Sequence, residues 1–512
     1  MVKKEESGLD TDHFINGPNR LFVLICTLFN SMIIHGIAPS DFLVGTMIPI
    51  VKDYRKSSKR SDNYRTLTLG TILSKVFDIL ILEKHNSFFN TSELQYGFKE
   101  NSSTVMSTFM VNQTISHYLS NGSNVNVLML DASKAFDRID FVKLFEKLVK
   151  RGLSPIIIRL ILNMYLCQKF QIKWNGFISD MFDVSNGVRQ GGVISPVLFG
   201  IYIDELLLEL KRNGIGCFVG HHFCGAFGYA DDIILLCPSV YGLKEMIKIC
   251  EAYAIEHQIL FNGAKSKLLI FGKKRHGDPN IVVNGNKVDL CTKAEYLGII
   301  LNTENEHNAI EDGITSFNVS FNRFLANFNS CRISIKNKLF HQYCCSYYGS
   351  QLWPLWNQNF ADICVKWRKA LRKIWDLPNR AHSDMLPIIA DVHPIEISLE
   401  SKFVNFVKST IGSQNESVSY MANRMKSNCN SSFGNNIRHL YLKYGLTSDN
   451  LINMSMKEIK DTCYGKWLDS VNDDYVYSAV MARELSLMKD GIYLNIFNED
   501  QNEFLINFLC TT

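Results

Sequence analysis

Three carboxylates carry the strongest chemical signal in the chain. Asp131 ends the apolar run Asn124 to Leu130, and Asp231-Asp232 sit in the turn of Phe227-Gly228-Tyr229-Ala230-Asp231-Asp232-Ile233-Ile234-Leu235-Leu236. An isolated Asp-Asp pair is usually a solvated turn. Carboxylates at the ends of apolar strands are costly unless a positive charge neutralises them. Two divalent cations answer that need. Mg²⁺ takes oxygen ligands and pairs carboxylates with substrate phosphates, and in polymerases and nucleases two such ions stand roughly 3.5–4 Å apart.

These residues need elements to hold them. Asn124–Leu130 reads as a strand, and the 227–236 segment as two apolar strands joined by a tight turn. Residues 20–40 read as an apolar helix closed by Gly36 and Pro39, followed by the strand-like Gly45–Val51. A loop with Lys52, Arg55, Lys56, Lys59, Arg60 and Arg65 comes next, then a helix from Thr71 to Lys84. Phe141–Lys150 and Ser154–Cys167 read as two helices parted by Gly152. In Gln190-Gly191-Gly192-Val193-Ile194-Ser195-Pro196, a turn runs into Ser195 as N-cap and Pro196 at the first helical position. The pattern predicts a helix over 241–260 and strands over 266–272 and 281–290, with a turn at Asn284-Gly285. Beyond residue 300 the texture is amphipathic and helical.

Composition sets the outer bounds. The 512 residues allow about three domains or one multi-lobed enzyme. With 46% hydrophobic and 20% charged residues, the chain can build a core, which excludes a disordered class. Its net charge of +4 neither demands nor forbids nucleic acid, because local clusters hide in a global sum. The 14 cysteines lack the spacing of a disulfide scaffold, and Cys217, His221, Cys224 and Cys237 lack paired C-x-x-C units, so buried thiols outweigh zinc. The start of the chain is polar rather than a signal segment. Leu21–Ile37 is interrupted by Asn30, Ser31 and His35, short of a membrane span.

The motifs now become specific. Val127-Leu128-Met129-Leu130-Asp131-Ala132-Ser133-Lys134-Ala135-Phe136-Asp137 resembles motif A of reverse transcriptases of non-LTR (LINE-type) retrotransposons. Gly187-Val188-Arg189-Gln190-Gly191-Gly192-Val193-Ile194-Ser195-Pro196 resembles motif B, and Tyr229-Ala230-Asp231-Asp232 the YxDD box of motif C. Asn262-Gly263-Ala264-Lys265-Ser266-Lys267-Leu268 resembles motif D, and Glu295-Tyr296-Leu297-Gly298 motif E. Upstream, Asp62-Asn63-Tyr64-Arg65 and Gln95-Tyr96-Gly97-Phe98-Lys99 are similar to finger motifs of the same elements. The resemblance is collinear from about Gly8 to residue 300.

The resemblance implies an α+β right-hand polymerase with fingers, a palm built on an antiparallel sheet, and a helical thumb. Asp131, Asp231 and Asp232 would hold two Mg²⁺ ions, with Mn²⁺ as a substitute. The reaction would be attack of a primer 3′-hydroxyl on the α-phosphate of a deoxynucleoside triphosphate, copying RNA into DNA. Lys265 would protonate the leaving pyrophosphate, a role for which an ordinary surface lysine is the plain alternative. Phe136 matches the bulky gate against a ribose 2′-hydroxyl. Ala132, Gln190 and Gly191 would line the nucleotide, while Lys52, Arg65 and Lys99 would grip its triphosphate. Thr66 replaces the Pro usual after Asn-Tyr-Arg, and Lys99 replaces a common Arg, losing a bidentate fork but keeping the charge.

Past residue 300, Lys366, Lys369, Arg372 and Lys373 line one side of a helical pattern, suited to gripping template–primer backbone or simply to a solvated face. The predicted domains are 1–123 for an N-terminal extension and fingers, 124–300 for the palm with interleaved fingers elements, 301–400 for the thumb, and 401–512 for a C-terminal region of unassigned role. No endonuclease is expected before the polymerase, so the chain reads as a fragment, a truncated copy, or a protein that depends on a nick made elsewhere. The expected partners are an RNA template, a DNA primer or target, and dNTPs, with no membrane. The expected location is intracellular, in nucleus or cytoplasm as a ribonucleoprotein. A group II intron-type enzyme, or a non-catalytic RNA-binding remnant of a retroelement, stays open as an alternative.

Overall fold

The computed structural model describes residues 11–132, 135–184, 186–188, 191–273, 279–304, 308–379, 381, 383–428 and 430–474. Packing divides the chain into two units, Met1–Ser107 with Ser123–Cys291, and Thr108–Gly122 with Thr292–Thr512. The first mixes sheets and helices, and the second is mainly helical, so the α+β class holds.

The central sheet of the first unit runs Asp289–Leu290, Lys267–Phe271, Val125–Leu130, Asp232–Cys237, Ala226–Tyr229. Its neighbours are antiparallel apart from the outer pair formed by Lys267–Phe271 and Asp289–Leu290. Val125–Leu130 and Asp232–Cys237 are interior strands, and their unbroken apolar runs suit burial on both faces. Val127, Leu128, Ile234 and Leu235 are fully buried. Helices Ser195–Asn213 and Val240–Glu256 pack on this sheet.

A second sheet joins Tyr64–Leu69, Val44–Val51, Lys169–Trp174 and Phe177–Ile178, with Phe182–Asp183 also paired to the third of these. Its first two strands lie in the segment expected to form the fingers. Asn63 closes the basic loop between them. It is buried, its Oδ1 accepts from Asp53 N at 3.1 Å, and its Nδ2 donates to Asp53 O at 2.9 Å.

Local chemistry explains the helix boundaries. Thr71 caps Ile72–Lys84 by accepting from Ser74 N, and Asp140 caps Phe141–Lys150 by accepting from Val142 N and Lys143 N. Gly36 ends Asn19–His35 in the left-handed conformation, as the sequence indicates. Two boundaries differ from expectation. Ser195 is the first helical residue rather than the cap; it is buried with its Oγ 3.1 Å from the Tyr165 hydroxyl. The helix predicted over 241–260 stops at Glu256, because Gln258 turns left-handed at φ 53°.

In the second unit, helices Asn308–Phe328, Ile333–Cys344, Gln358–Ile374, Ile395–Ile411, Ser432–Tyr444 and Met456–Asp474 follow the hairpin 293–302. Most of helix Thr104–Ser120 groups with them. Phe109 packs its ring against Phe406 at 5.4 Å and Phe433 at 5.1 Å. Glu400 is 1% exposed within this unit and is fully engaged. Lys443 Nζ lies 2.7 Å from Oε1, the Tyr444 hydroxyl donates to Oε2 at 2.7 Å, and His439 Nε2 is 3.6 Å from Oε1. Among the described residues, no helix is long and apolar enough to cross a membrane.

Candidate active site

Ile233 pairs with Leu130 across the two interior strands, so the register carried one step on sets Asp232 opposite Asp131. The antiparallel direction thus brings carboxylates distant in sequence to one end of the sheet. Asp131 is clamped through its backbone by the 262–266 turn. Its N–H donates to Ser266 Oγ at 3.2 Å, and its carbonyl accepts from Asn262 N at 2.9 Å. Ser266 is 1% exposed and its hydroxyl also donates to Asn262 O at 2.8 Å. That turn delivers Lys265, whose Nζ is 3.9 Å from Asp131 Oδ2 with both side chains open to solvent.

The electrostatics show crowded like charges. Burial pushes the Asp231 carboxyl up, and Asp131 adds to this, while its own backbone hydrogen bond and Arg65 oppose it. The Asp232 carboxyl is pushed up to about 6 by protein packed around it, then by Asp231 and Asp131, with Arg65 again opposing. Arg65, on the strand Tyr64–Leu69, thus stands near enough to oppose both shifts. Among the described residues, no group of three or more His, Cys, Asp or Glu side chains is placed to hold a metal ion. The sheet supplies a shared strand end bearing hard oxygen donors, and those raised carboxyls fit a divalent cation, which would bring them back down.

The remaining predicted residues separate. Ala132 bridges to Phe261 next to Asp131. Phe136 opens a short 3₁₀ turn, Phe136–Arg138, and stacks on the fully buried Phe199 at 4.4 Å and 17°. Its carbonyl accepts from Val188 N at 2.9 Å, which ties motif A to the start of motif B. Gly191 stands at φ 111° against the fingers strand, where a Cβ would come within 2.5 Å of Thr68 O. Only glycine fits that approach. Gln190 lies outside the described residues. Lys52 follows the strand Val44–Val51, its N–H donating to Asn63 O at 2.8 Å.

Two predicted residues are used elsewhere. Lys99 donates to Thr91 O at 2.9 Å and Ser92 O at 3.0 Å, and burial lowers its pKa while Asp204 and Glu93 support the charge. It clasps a loop rather than reaching the carboxylates. On helix Gln358–Ile374, Lys366, Lys369 and Lys373 lie toward solvent. Arg372 is not part of that open stripe, because its guanidinium donates to Ala381 O at 2.7 and 3.1 Å and to Ser383 Oγ at 3.0 Å. Sequence reasoning missed Asn262 and Ser266 as supports of Asp131, although the Asn-Gly turn was a visible signal.

Two interior antiparallel strands meet at an acidic end, with Arg65 of the neighbouring sheet opposing its charge, the arrangement expected of a polymerase palm. Residues 55–301 match the family "Reverse transcriptase (RNA-dependent DNA polymerase)". The matched segment is just under half of the chain, and reverse transcriptases of that family work with divalent metal ions. The chain is 26% identical to the RNA-directed DNA polymerase from mobile element jockey of Drosophila funebris, across 63% of this chain and 35% of that protein. It is 25% identical to the Pol polyprotein from type-2 retrotransposable element R2DM of Drosophila melanogaster, across 47% of this chain and 21% of that one. The chain thus spans well under half the length of these two relatives. Telomerase from Candida tropicalis in complex with a telomeric RNA fragment is similar at a TM-score of 0.38 and 11% identity, over 78% of this chain and 68% of that one.

Proposed function

We propose that this chain is an RNA-directed DNA polymerase of a non-LTR retrotransposon that works by target-primed reverse transcription. The observation that carries the reading is the shared strand end of Asp131, Asp231 and Asp232. Asp131, Asp231 and Asp232 would hold a pair of Mg²⁺ or Mn²⁺ ions, which when bound would neutralise charge at the triphosphate and acidify the primer hydroxyl. The primer 3′-hydroxyl gives up its proton to solvent, its oxygen bonds the α-phosphorus as the bond to the bridging oxygen breaks, and pyrophosphate leaves. Lys265 hands a proton to that leaving group. Arg65 and Lys52 hold the triphosphate from the fingers, and the glycine at 191 lets backbone approach the nucleotide. The protein would act with its RNA inside the cell, at a chromosomal DNA end. The test is extension of a DNA primer on an RNA template by the purified protein with Mg²⁺. RNA binding without extension would replace this reading with a binding module.

Two further outcomes are expected. Phe136→Val opens space for a 2′-hydroxyl, so the preference for dNTPs over rNTPs should fall by about tenfold to a hundredfold in single-nucleotide incorporation. Unchanged selectivity would make Phe136 an ordinary packing residue. Replacing Lys366, Lys369 and Lys373 by Gln should weaken duplex binding for any sequence. It should also make the salt dependence shallower, by about one unit of slope for each phosphate left without a lysine, as measured by a filter-binding titration against NaCl.

A further inference from the structure

The motif Gln95–Lys99 is accounted for only partly by Lys99, whose amine is held by the Thr91 and Ser92 carbonyls. The rest of it runs against the strand that leads into the carboxylate turn. Gly228 N donates to Leu94 O at 2.9 Å, and Tyr96 N donates to Gly228 O at 2.8 Å. Between these bonds Gln95 is 1% exposed, and its Oε1 accepts from Ala230 N at 3.0 Å and from Gly97 N at 2.9 Å. Ala230 is left-handed at φ 55°, a conformation an L-residue holds only when its surroundings impose it. Gly97 completes the fit, since a Cβ there would lie 2.4 Å from Ala230 N. The Gln95 Nε2 is buried without a hydrogen-bond partner among the described residues. A side chain kept at that penalty is retained for what its oxygen does.

We propose that Gln95 is the positioning residue of the carboxylate turn: its Oε1 fixes the Ala230 N–H and thereby sets where Asp231 and Asp232 stand. It touches no reacting group. The catalytic consequence rests on the polymerase reading above, whereas the anchoring does not.

The test uses the full chain with Gln95→Met, which keeps the volume and removes the acceptor, beside Gln95→Glu, which keeps an acceptor. In Gln95→Met, hydrogen exchange at the Ala230 amide should accelerate while the rest of the sheet stays protected. Single-turnover incorporation should fall about tenfold to a hundredfold, with the dNTP KM within about twofold, as expected for a misplaced reactive group. Gln95→Glu should keep Ala230 protected. If Gln95→Met does not fold, Gly97→Ala tests the same contact by pressing on the Ala230 amide, with the same local exchange expected. Wild-type protection of Ala230 in Gln95→Met would overturn the proposal. So would equal, sheet-wide loss of protection in both Gln95 variants, which would mark a packing residue. If the wild-type protein copies no RNA yet Ala230 exchange still depends on Gln95, the anchoring stands and the polymerase reading falls.

Discussion

Asp231→Asn/Asp232→Asn is expected to lose primer extension by at least about a thousandfold, or about 4 kcal/mol of transition-state stabilisation. The protein should nonetheless remain folded. The same substitution removes two like charges from a crowded strand end where Asp131 also repels them. Asn keeps the size and a carbonyl oxygen, and the strand register through Ile233 and Leu130 does not depend on the carboxyl groups. With divalent ions chelated, the double variant should therefore melt at or above the wild-type temperature, because only the functional state needs all that negative charge in one place. Extension assays and thermal melts in EDTA check the two halves. Retained activity would refute the assigned carboxylates, and a large drop in melting temperature would show that they stabilise the sheet.

The second large effect lies in the helical unit. Glu400→Ala is expected to cost about 3–5 kcal/mol of stability, as is usual when a buried ion pair is broken from one side. Lys443 and the Tyr444 hydroxyl would be left without their acceptor at 2.7 Å, and a cavity would replace the carboxyl. Burial alone would push Glu400 up, but the nearby His439 imidazole, the charge and hydrogen bond of Lys443 and the Tyr444 hydroxyl outweigh it and hold its pKa below 4.5. For a carboxyl depressed in the folded state, the stabilisation is present above the unfolded value near 4.5 and is lost as pH falls through the folded value. Denaturant melts from about pH 7 down to about pH 3 should show wild type losing stability more steeply than Glu400→Ala at the acid end. Parallel curves would remove Glu400 from the acid response.

The site was legible where chemistry and local pattern coincide. Apolar strands that stop at Asp131 and Asp231 announce themselves, because a carboxylate there conflicts with its surroundings. The helices from Thr71 and Phe141 were readable from apolar periodicity and the end at Gly36 from glycine's backbone freedom, both of which are local. What could not be read depends on partners brought by tertiary structure. Lys99 and Arg372 carry charges that a sequence assigns to ligands, yet each finds backbone carbonyls on a neighbouring loop. Ser195 has the right side chain for a cap, but the Tyr165 hydroxyl beside it arrives from another helix. Gln95 is an uncharged residue whose importance rests on one backbone N–H far along the chain. The helix Thr104–Ser120 carries no sharp apolar stripe, and burial on most of its sides explains why periodicity does not reveal it.

That helix has a consequence for how the molecule is made. Gln113 Oε1 accepts from Ser431 Oγ at 2.9 Å across 318 positions, while residues on both flanks of the helix belong to the other unit. During synthesis at roughly 5–20 residues per second, the helix would wait about 15–60 s for its partners to leave the ribosome. Phe109, Met110 and Val111, all fully buried in the finished protein, are unprotected for that interval. A chain cut after Cys291 would make this exposure permanent, and a chain begun at Thr292 would lack a piece of its own core. The two units are therefore not separable by a single cut, and folding yield should depend on ribosome speed and chaperone supply more than the size of either unit suggests.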